Sequence, residues 1–175
     1  MPKGFEQADL TGELVHLRPI QAGDAAVAFP LLQDERVISQ LRSEEPSSPE
    51  QLAQSYQRYA EDFRAGKQYD FAIEMVARSD LIGSISLGFL QHPLHLHIGY
   101  WLGVPCWGKG YTTDAARLAT HFVFKHLEVV RVSTGAFAGN IASRGVLEKN
   151  GYRLDGVLQY NTLKRGVWLD SWLLC

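Results

Sequence analysis

The amino-acid sequence predicts a mixed α/β domain in which helices cover a sheet, on three grounds. Leu94, Leu96, Ile98, Tyr100 and Leu102 alternate with His95, His97, Gly99 and Trp101, the period-two pattern of a strand with two distinct faces. Leu52, Tyr56, Tyr59 and Phe63 recur at spacings of 4, 3 and 4, which is one face of a helix. Through the middle of the chain such segments follow in the order β-α-β-α, and strands outnumber helices overall.

Leu14 to Arg18 (LVHLR) alternates and reads as the first strand, stopped by Pro19. Asp24 is placed to cap a helix over AAVAFPLL, and Pro30 inside that pattern should keep it short or kinked. Ser43 to Pro49 (SEEPSSP) reads as a loop. Ser48 then reads as an N-cap, with Pro49 at the first helical position, Gln51 closing a capping box and Gly66 able to end the helix. Tyr69 to Val76 and Leu81 to Leu90 read as strands, and the short gap around Arg78-Ser79-Asp80 suggests a hairpin. Beyond Leu102, a glycine-bearing segment leads into a helix from about Tyr111 to Leu127 that buries Ala115, Leu118, Ala119 and Phe122. Val129 to Phe137 is a further strand, and Asn140 caps a helix that Gly151 ends. Closing strands near Tyr152 to Tyr160 and Val167 to Leu174 bring the total to about seven.

At 175 residues, the chain fits a single domain over 1–175, long enough to bury a core without metal or disulfide staples. Lys and Arg number 17 against 19 Asp and Glu, a net charge of -2, so no basic excess favours generic nucleic-acid binding. Two cysteines, Cys106 and Cys175, cannot make the framework of a secreted mini-protein. The N-terminal MPKGFEQADLTGELV lacks the apolar core of a signal peptide, and no run approaches the roughly 18 apolar residues of a membrane span. A soluble, cytoplasmic protein is the expectation, with neither membrane nor direct nucleic-acid partner.

The most informative stretch is Gly103 to Thr112, GVPCWGKGYT. A strand enters, glycines let the backbone approach a ligand, and a helix starts at once. Its first-turn N–H groups lack intrahelical partners and its dipole favours negative charge, an arrangement that holds a phosphate or pyrophosphate. A tight turn with flexible glycines is the plainer account. Gly103-x-x-x-x-Gly108-Lys109 nearly spells a Walker A loop, but Gly110 stands where Ser or Thr should ligate magnesium. Gly108-x-Gly110 resembles a dinucleotide fingerprint, yet Thr113 stands where its third glycine belongs, and the segment lies past the middle of the chain.

A third reading is a resemblance. IGYWLG (Ile98 to Gly103), WGKGYTTDAAR (Trp107 to Arg117), Asn140-x-x-Ser143 and VLEKNGY (Val146 to Tyr152) together resemble the GNAT superfamily of acyl-CoA N-acyltransferases, most closely its RimJ/RimL type. The likeness extends from Leu14 to Leu174. It implies the GNAT fold, a mostly antiparallel sheet flanked by helices, with two central parallel strands splayed around the cofactor. It also implies acetyl-CoA as cofactor, with its pyrophosphate at Trp107, Gly108, Lys109, Gly110, Tyr111 and Thr112. Trp107 replaces a polar residue of the family pattern, and Thr112 a small one. Backbone groups near Trp101 and Leu102 would pair with the pantetheine arm in strand-like fashion, and Asn140 would serve both as N-cap and as an amide partner of that arm.

Acetyl transfer from a thioester needs a neutral amine, donors for the oxyanion and a proton for the thiolate. An α-amine, with a pKa near 8, is about a tenth neutral at pH 7, so a site without a strong base suits an N-terminal amine better than lysine. His97 stands where the RimJ/RimL branch often has glutamate; it and His95 are candidate bases, or ordinary polar residues on a half-exposed face. His92, His95 and His97 lack the carboxylate or cysteine that would complete a metal site, so no metal is expected. The tyrosine that many GNAT enzymes place near the coenzyme A sulfur is Leu147 here. Ser143 matches the serine that takes its place in RimJ/RimL, though a local backbone role would also suit it. Cys106 has no paired base and reads as packing; Asp170, on a strand with Trp168 and Trp172, is a weaker candidate for lining the acceptor pocket.

The expected function is therefore acetyl transfer from acetyl-CoA to a primary amine, a protein N-terminus or a small molecule, by direct attack in a ternary complex. The alternatives are a non-catalytic acetyl-CoA-binding module and a nucleotide-binding protein using the near-Walker loop. The resemblance implies that Gln33 to Pro49 and the helix behind it form the acceptor wall, where Glu44 and Glu45 would favour a cationic acceptor, a solvated charged loop being the plainer account. A homodimer is the assembly this reading allows.

Overall fold

The computed structural model describes residues 10–175; the reading of residues 1–9 as free of a signal peptide lies outside the described residues. The strands are β1 (Leu10–Thr11), β2 (Val15–Pro19), β3 (Gln68–Met75), β4 (Leu81–Phe89), β5 (His95–Leu102), β6 (Arg131–Phe137), β7 (Leu154–Lys164) and β8 (Val167–Leu174). The helices are α1 (Ala25–Leu32), α2 (Glu35–Ile38), α3 (Pro49–Arg64), α4 (Tyr111–His126) and α5 (Ile141–Lys149). One sheet of eight strands runs β1-β2-β3-β4-β5-β6-β8-β7. The strand beyond the expected seven is β1, whose two residues are too short to show an alternation and are fixed by lying opposite Leu17 and His16 of β2.

The β3 run from Tyr69 to Ile73 is buried throughout because both faces of the sheet are covered. Phe71 and Ile73 join one core with Ala115, Ala119 and Phe122 of α4; Ala72, pointing the other way, joins a second with Ala25, Ala28 and Leu52. Two caps differ from expectation. Asp24 does not cap α1, because its carboxylate takes two N–H groups of Arg18 (2.8 and 2.7 Å) and the Gln21 amide (2.8 Å). Ser48 does cap α3, accepting the Gln51 amide at 3.2 Å, but the Gln51 side chain closes on the Ser47 amide at 2.7 Å instead of on that of Ser48.

Every neighbouring strand pair is antiparallel except β5 and β6, which α4 connects as a crossover. Their pairing is brief: His95, Leu96 and His97 face Arg131, Val132 and Ser133. Beyond that point β5 continues along β4 as far as Leu102, whereas β6 turns to β8 from Thr134 onward. The two strands part, and the sheet opens at its middle.

The start of α4 is tied to this opening by Asp114. One of its oxygens accepts the amides of Leu14 (2.9 Å) and Val15 (3.2 Å), and the other pairs with Arg117 at 2.6 Å. Burial works against the charge, yet the Leu14 amide, Arg117 and the Val15 amide together hold the Asp114 carboxyl below its ordinary value. Gly12 is required beside it, since a Cβ there would collide with the carboxylate.

Candidate functional site

A cavity of about 1100 Å³ fills the gap between β5 and β6. Backbone parity decides what β5 offers to it. The Gly103 amide donates to Ile82, and the His95 carbonyl accepts from Leu90, so odd-numbered residues of β5 spend their backbone groups on the β4 side. Ile98, Tyr100 and Leu102 therefore turn theirs toward the gap. This corrects the expectation for Trp101, whose backbone faces β4. Leu102 does face the gap, but its carbonyl already accepts the Trp107 indole N–H at 2.6 Å. Trp107 thus braces the loop against the strand, which explains how an indole stands where a polar side chain was expected.

At one end of the gap lies the N-terminus of α4. Gly108 and Gly110 adopt the left-handed conformation (φ 73° and 85°) that side chains disfavour. Gly110 is the N-cap, and no side chain caps this helix. The first-turn amides of Tyr111, Thr112 and Thr113 are thus left for something else, whereas α2, α3 and α5 are capped by Asp34, Ser48 and Asn140. A Cβ built on Gly108 meets nothing within 4 Å, so the backbone there is open to a ligand. These features fit a diphosphate: unspent N–H donors, a positive helix end and bare backbone. Tyr111 and Thr112 line the cavity with both glycines, while the Lys109 side chain is exposed and lies outside its wall.

On the same face, α5 begins at the gap. The Asn140 side-chain oxygen Oδ1 accepts the Ser143 amide at 3.0 Å, so the N-cap role is seen and this oxygen is spent on it. The Ser143 hydroxyl stands 2.9 Å from that of Tyr100, which also donates to the Ser143 carbonyl at 3.2 Å. Burial pushes the Tyr100 phenol up to about 12, against the opposing Ser143 hydrogen bond, so it remains a proton donor at neutral pH. Tyr100 was missed as a site residue because it continues the apolar series Leu96, Ile98. A hydroxyl among aliphatic residues was the available signal.

The opposite face carries the histidines. His97 lines the cavity; His95 does not, and packs on His92 with ring centroids 4.6 Å apart. Among the described residues no group of three His, Cys, Asp or Glu is placed to hold a metal ion. Burial, and then the charge of Arg42, push the His97 imidazole below its ordinary value. Residues around α2 do form a wall here, including Arg36 and Arg42, but Glu44 and Glu45 lie outside it and act electrostatically on Lys164 and Arg165. The expectation that they favour a cationic acceptor is therefore corrected: Lys164 donates to the carbonyls of Ile38 and Leu41, and the segment it fastens lines the cavity with arginines and no carboxylate. Asp170 is likewise off the cavity, its carboxylate accepting the Tyr160 amide at 2.8 Å. Cys106 is half-buried against the main core and touches the cavity wall.

Comparison with known proteins agrees with this geometry. The profile of the Acetyltransferase (GNAT) domain family matches residues 15–153. The "Probable N-acetyltransferase YjcK" of Bacillus subtilis (strain 168) is 30% identical over 174 residues, 94% of each chain. Among solved structures, the ribosomal-protein-S5-alanine acetyltransferase of Vibrio fischeri superposes with a TM-score of 0.85 at 21% identity, covering 96% of this chain and 95% of that one. Mycobacterium smegmatis RimJ in complex with CoA-disulfide superposes with a TM-score of 0.81 at 24% identity, over 97% and 87% of the two chains.

Proposed function

The chain belongs to the GNAT acetyltransferase family, whose reaction is acetyl transfer from acetyl-CoA, and on that premise we propose that its acceptor is a primary amine attacking directly in a ternary complex. The observation that carries this reading is the side-chain-uncapped α4 N-terminus at one end of the β5/β6 gap, with the Tyr100–Ser143 pair on the same face.

Each group has a task. The amides that follow Gly108 would hold the diphosphate, and the inward-facing backbone of Ile98 and Tyr100, with the Leu102 amide, would pair with the pantetheine arm as a strand does. Acetyl-CoA, when bound, supplies an activated acyl carbon. With acetyl-CoA bound, the amine nitrogen would bond to that carbon as the C–S bond breaks. Ser143 would donate a hydrogen bond or proton to the departing sulfur, with Tyr100 behind it as the reserve donor, and the second proton lost by the nitrogen on forming the amide would balance the one the sulfur takes. The ammonium proton leaves before attack toward His97, directly or through water. His97 and Ser143 lie on opposite faces of the sheet, so the gap admits the thioester from one side and the amine from the other. The ribosomal-protein acetyltransferases among the structural neighbours support a protein N-terminus as one acceptor class.

The experiment is a mass-spectrometric screen of peptides and small amines with acetyl-CoA, paired with a thermal-shift titration. Acetylated product with acetyl-CoA-dependent stabilisation is expected. Stabilisation with no product from any amine would instead support a binding module, and no stabilisation would sink the reading.

A further inference from the structure

We infer that the acceptor amine carries a carboxylate a few atoms from its nitrogen and that Arg42 is the residue that selects it; this deepens, and rests on, the acetyl-transfer reading above. The basic side chains lining the cavity are Arg36, Arg42, His97 and Lys149, the last from α5 beyond the Ser143 face; among the described residues no Asp or Glu lines it. Such a wall repels a polycation and attracts an anion.

Arg42, although exposed, is the member of this set whose guanidinium reaches the strands of the gap. Its guanidinium lies against the backbone of Gly135 on β6, where a Cβ would collide with it, so the glycine leaves the room that the arginine occupies. It donates to the Ser171 hydroxyl at 3.2 Å, and no described carboxylate pairs with it. Both arginines are exposed, but Arg36 is held by Asp34 at 2.7 Å. A guanidinium offers five N–H donors in a planar fork matched to a carboxylate, and the acceptor Arg42 meets among the described residues is a neutral hydroxyl. The guanidinium gives up part of its hydration at this wall while its remainder stays in water, and a ligand carboxylate would supply the opposite charge it lacks. Glu44 and Glu45 could have supplied that partner from the same loop, but they act on Lys164 and Arg165 instead.

Position ties this charge to the reaction. Arg42 is near enough to His97 for its charge to act on the imidazole, and both lie on the sheet face assigned to the amine. A ligand held there by its carboxylate would hold its amine beside His97. One guanidinium with a hydroxyl balances a single negative charge, which favours a carboxylate over a phosphate dianion.

The test uses the intact chain, acetyl-CoA and matched pairs: peptides beginning with Asp against the same peptides beginning with Asn, and β-alanine against β-alaninamide. The carboxylate member should be preferred about 10- to 100-fold in kcat/KM in at least one pair, the range expected when a charged hydrogen-bonding partner is present or absent. The pair that responds tells a protein N-terminus from a free amino acid. Arg42→Gln should bring the preference to about one, through a raised KM for the carboxylate member, and Arg42→Lys should retain part of it. Equal or faster turnover of the amides or of spermidine, or no turnover of any carboxylate-bearing amine, overturns the assignment. The wild-type comparison decides this even if the variants fold poorly. Failure of acetyl-CoA to stabilise the protein would instead sink the acetyl-transfer reading, and this assignment with it.

Discussion

Removing the Asp114 carboxylate should loosen the turn proposed to bind the diphosphate without touching it. In Asp114→Ala the Val15 amide, on a residue with 0% exposure, loses its acceptor and cannot turn to water. That alone costs about 1–3 kcal/mol. The Leu14 amide belongs to a residue 40% exposed, and water replaces much of its bond. Arg117 is 55% exposed, so its ion pair adds little. The sum is about 2–4 kcal/mol, a large part of the stability of an ordinary domain. Asp114→Asn keeps a carbonyl oxygen for the amides and should cost about 1 kcal/mol. Urea denaturation of both variants at neutral pH measures this, and the KM for acetyl-CoA should rise with the loss because the same turn orients the α4 amides. Since the folded carboxyl lies below its unfolded value, its contribution is complete above about pH 4 and fades as pH falls through the folded value. The gap between wild type and Asp114→Asn must therefore shrink in acid. Gly12→Ala should be costly in the wild type and cheaper beside Asp114→Ala, where the collision is gone. Variants within 0.5 kcal/mol (about the error of such measurements) of wild type, or additive effects of the two substitutions, would refute the reasoning.

Three further outcomes follow from the site. Gly110→Val places a branched side chain at φ 85° and against Leu14; acetyl-CoA binding by calorimetry should be lost, and wild-type affinity would move the diphosphate elsewhere. Ser143→Ala should lower kcat about 10- to 1000-fold with acetyl-CoA affinity nearly unchanged, and Tyr100→Phe should lower it less; an unaltered rate removes the pair from the chemistry. For His97, the proposed base, burial and Arg42 lower the folded value, so the imidazole stays neutral below its usual midpoint of about 6.5 and the acidic limb of the wild-type rate profile should fall below that pH. His97→Ala should abolish that limb, and an unchanged profile assigns the proton to water.

What could be read along the chain was whatever depends on near neighbours. The alternation of β5, the Leu52-to-Phe63 face of α3, the Ser48 and Asn140 caps and the glycine turn into α4 each rest on residues a few positions apart, and each stands in the structure. Where near neighbours offered two choices, the sequence misled: Gln51 closed on Ser47, and Asp24 was taken by Arg18.

The working parts of the site depend instead on distance along the chain. Ser143 was legible from its motif, but its Tyr100 partner lies 43 positions away and looks like core until the two helices and β5 are assembled. Glu44 and Glu45 have the charge for a cationic pocket, and nothing local reveals that they serve the β7–β8 end while Arg42 reaches a serine 129 positions on. Period and capping are short-range, set by the pleat, the helical turn and the reach of one side chain, so they are written into consecutive residues. Which charges meet across an opened sheet is set by where β5 leaves β6, and only the packing of the entire chain decides that.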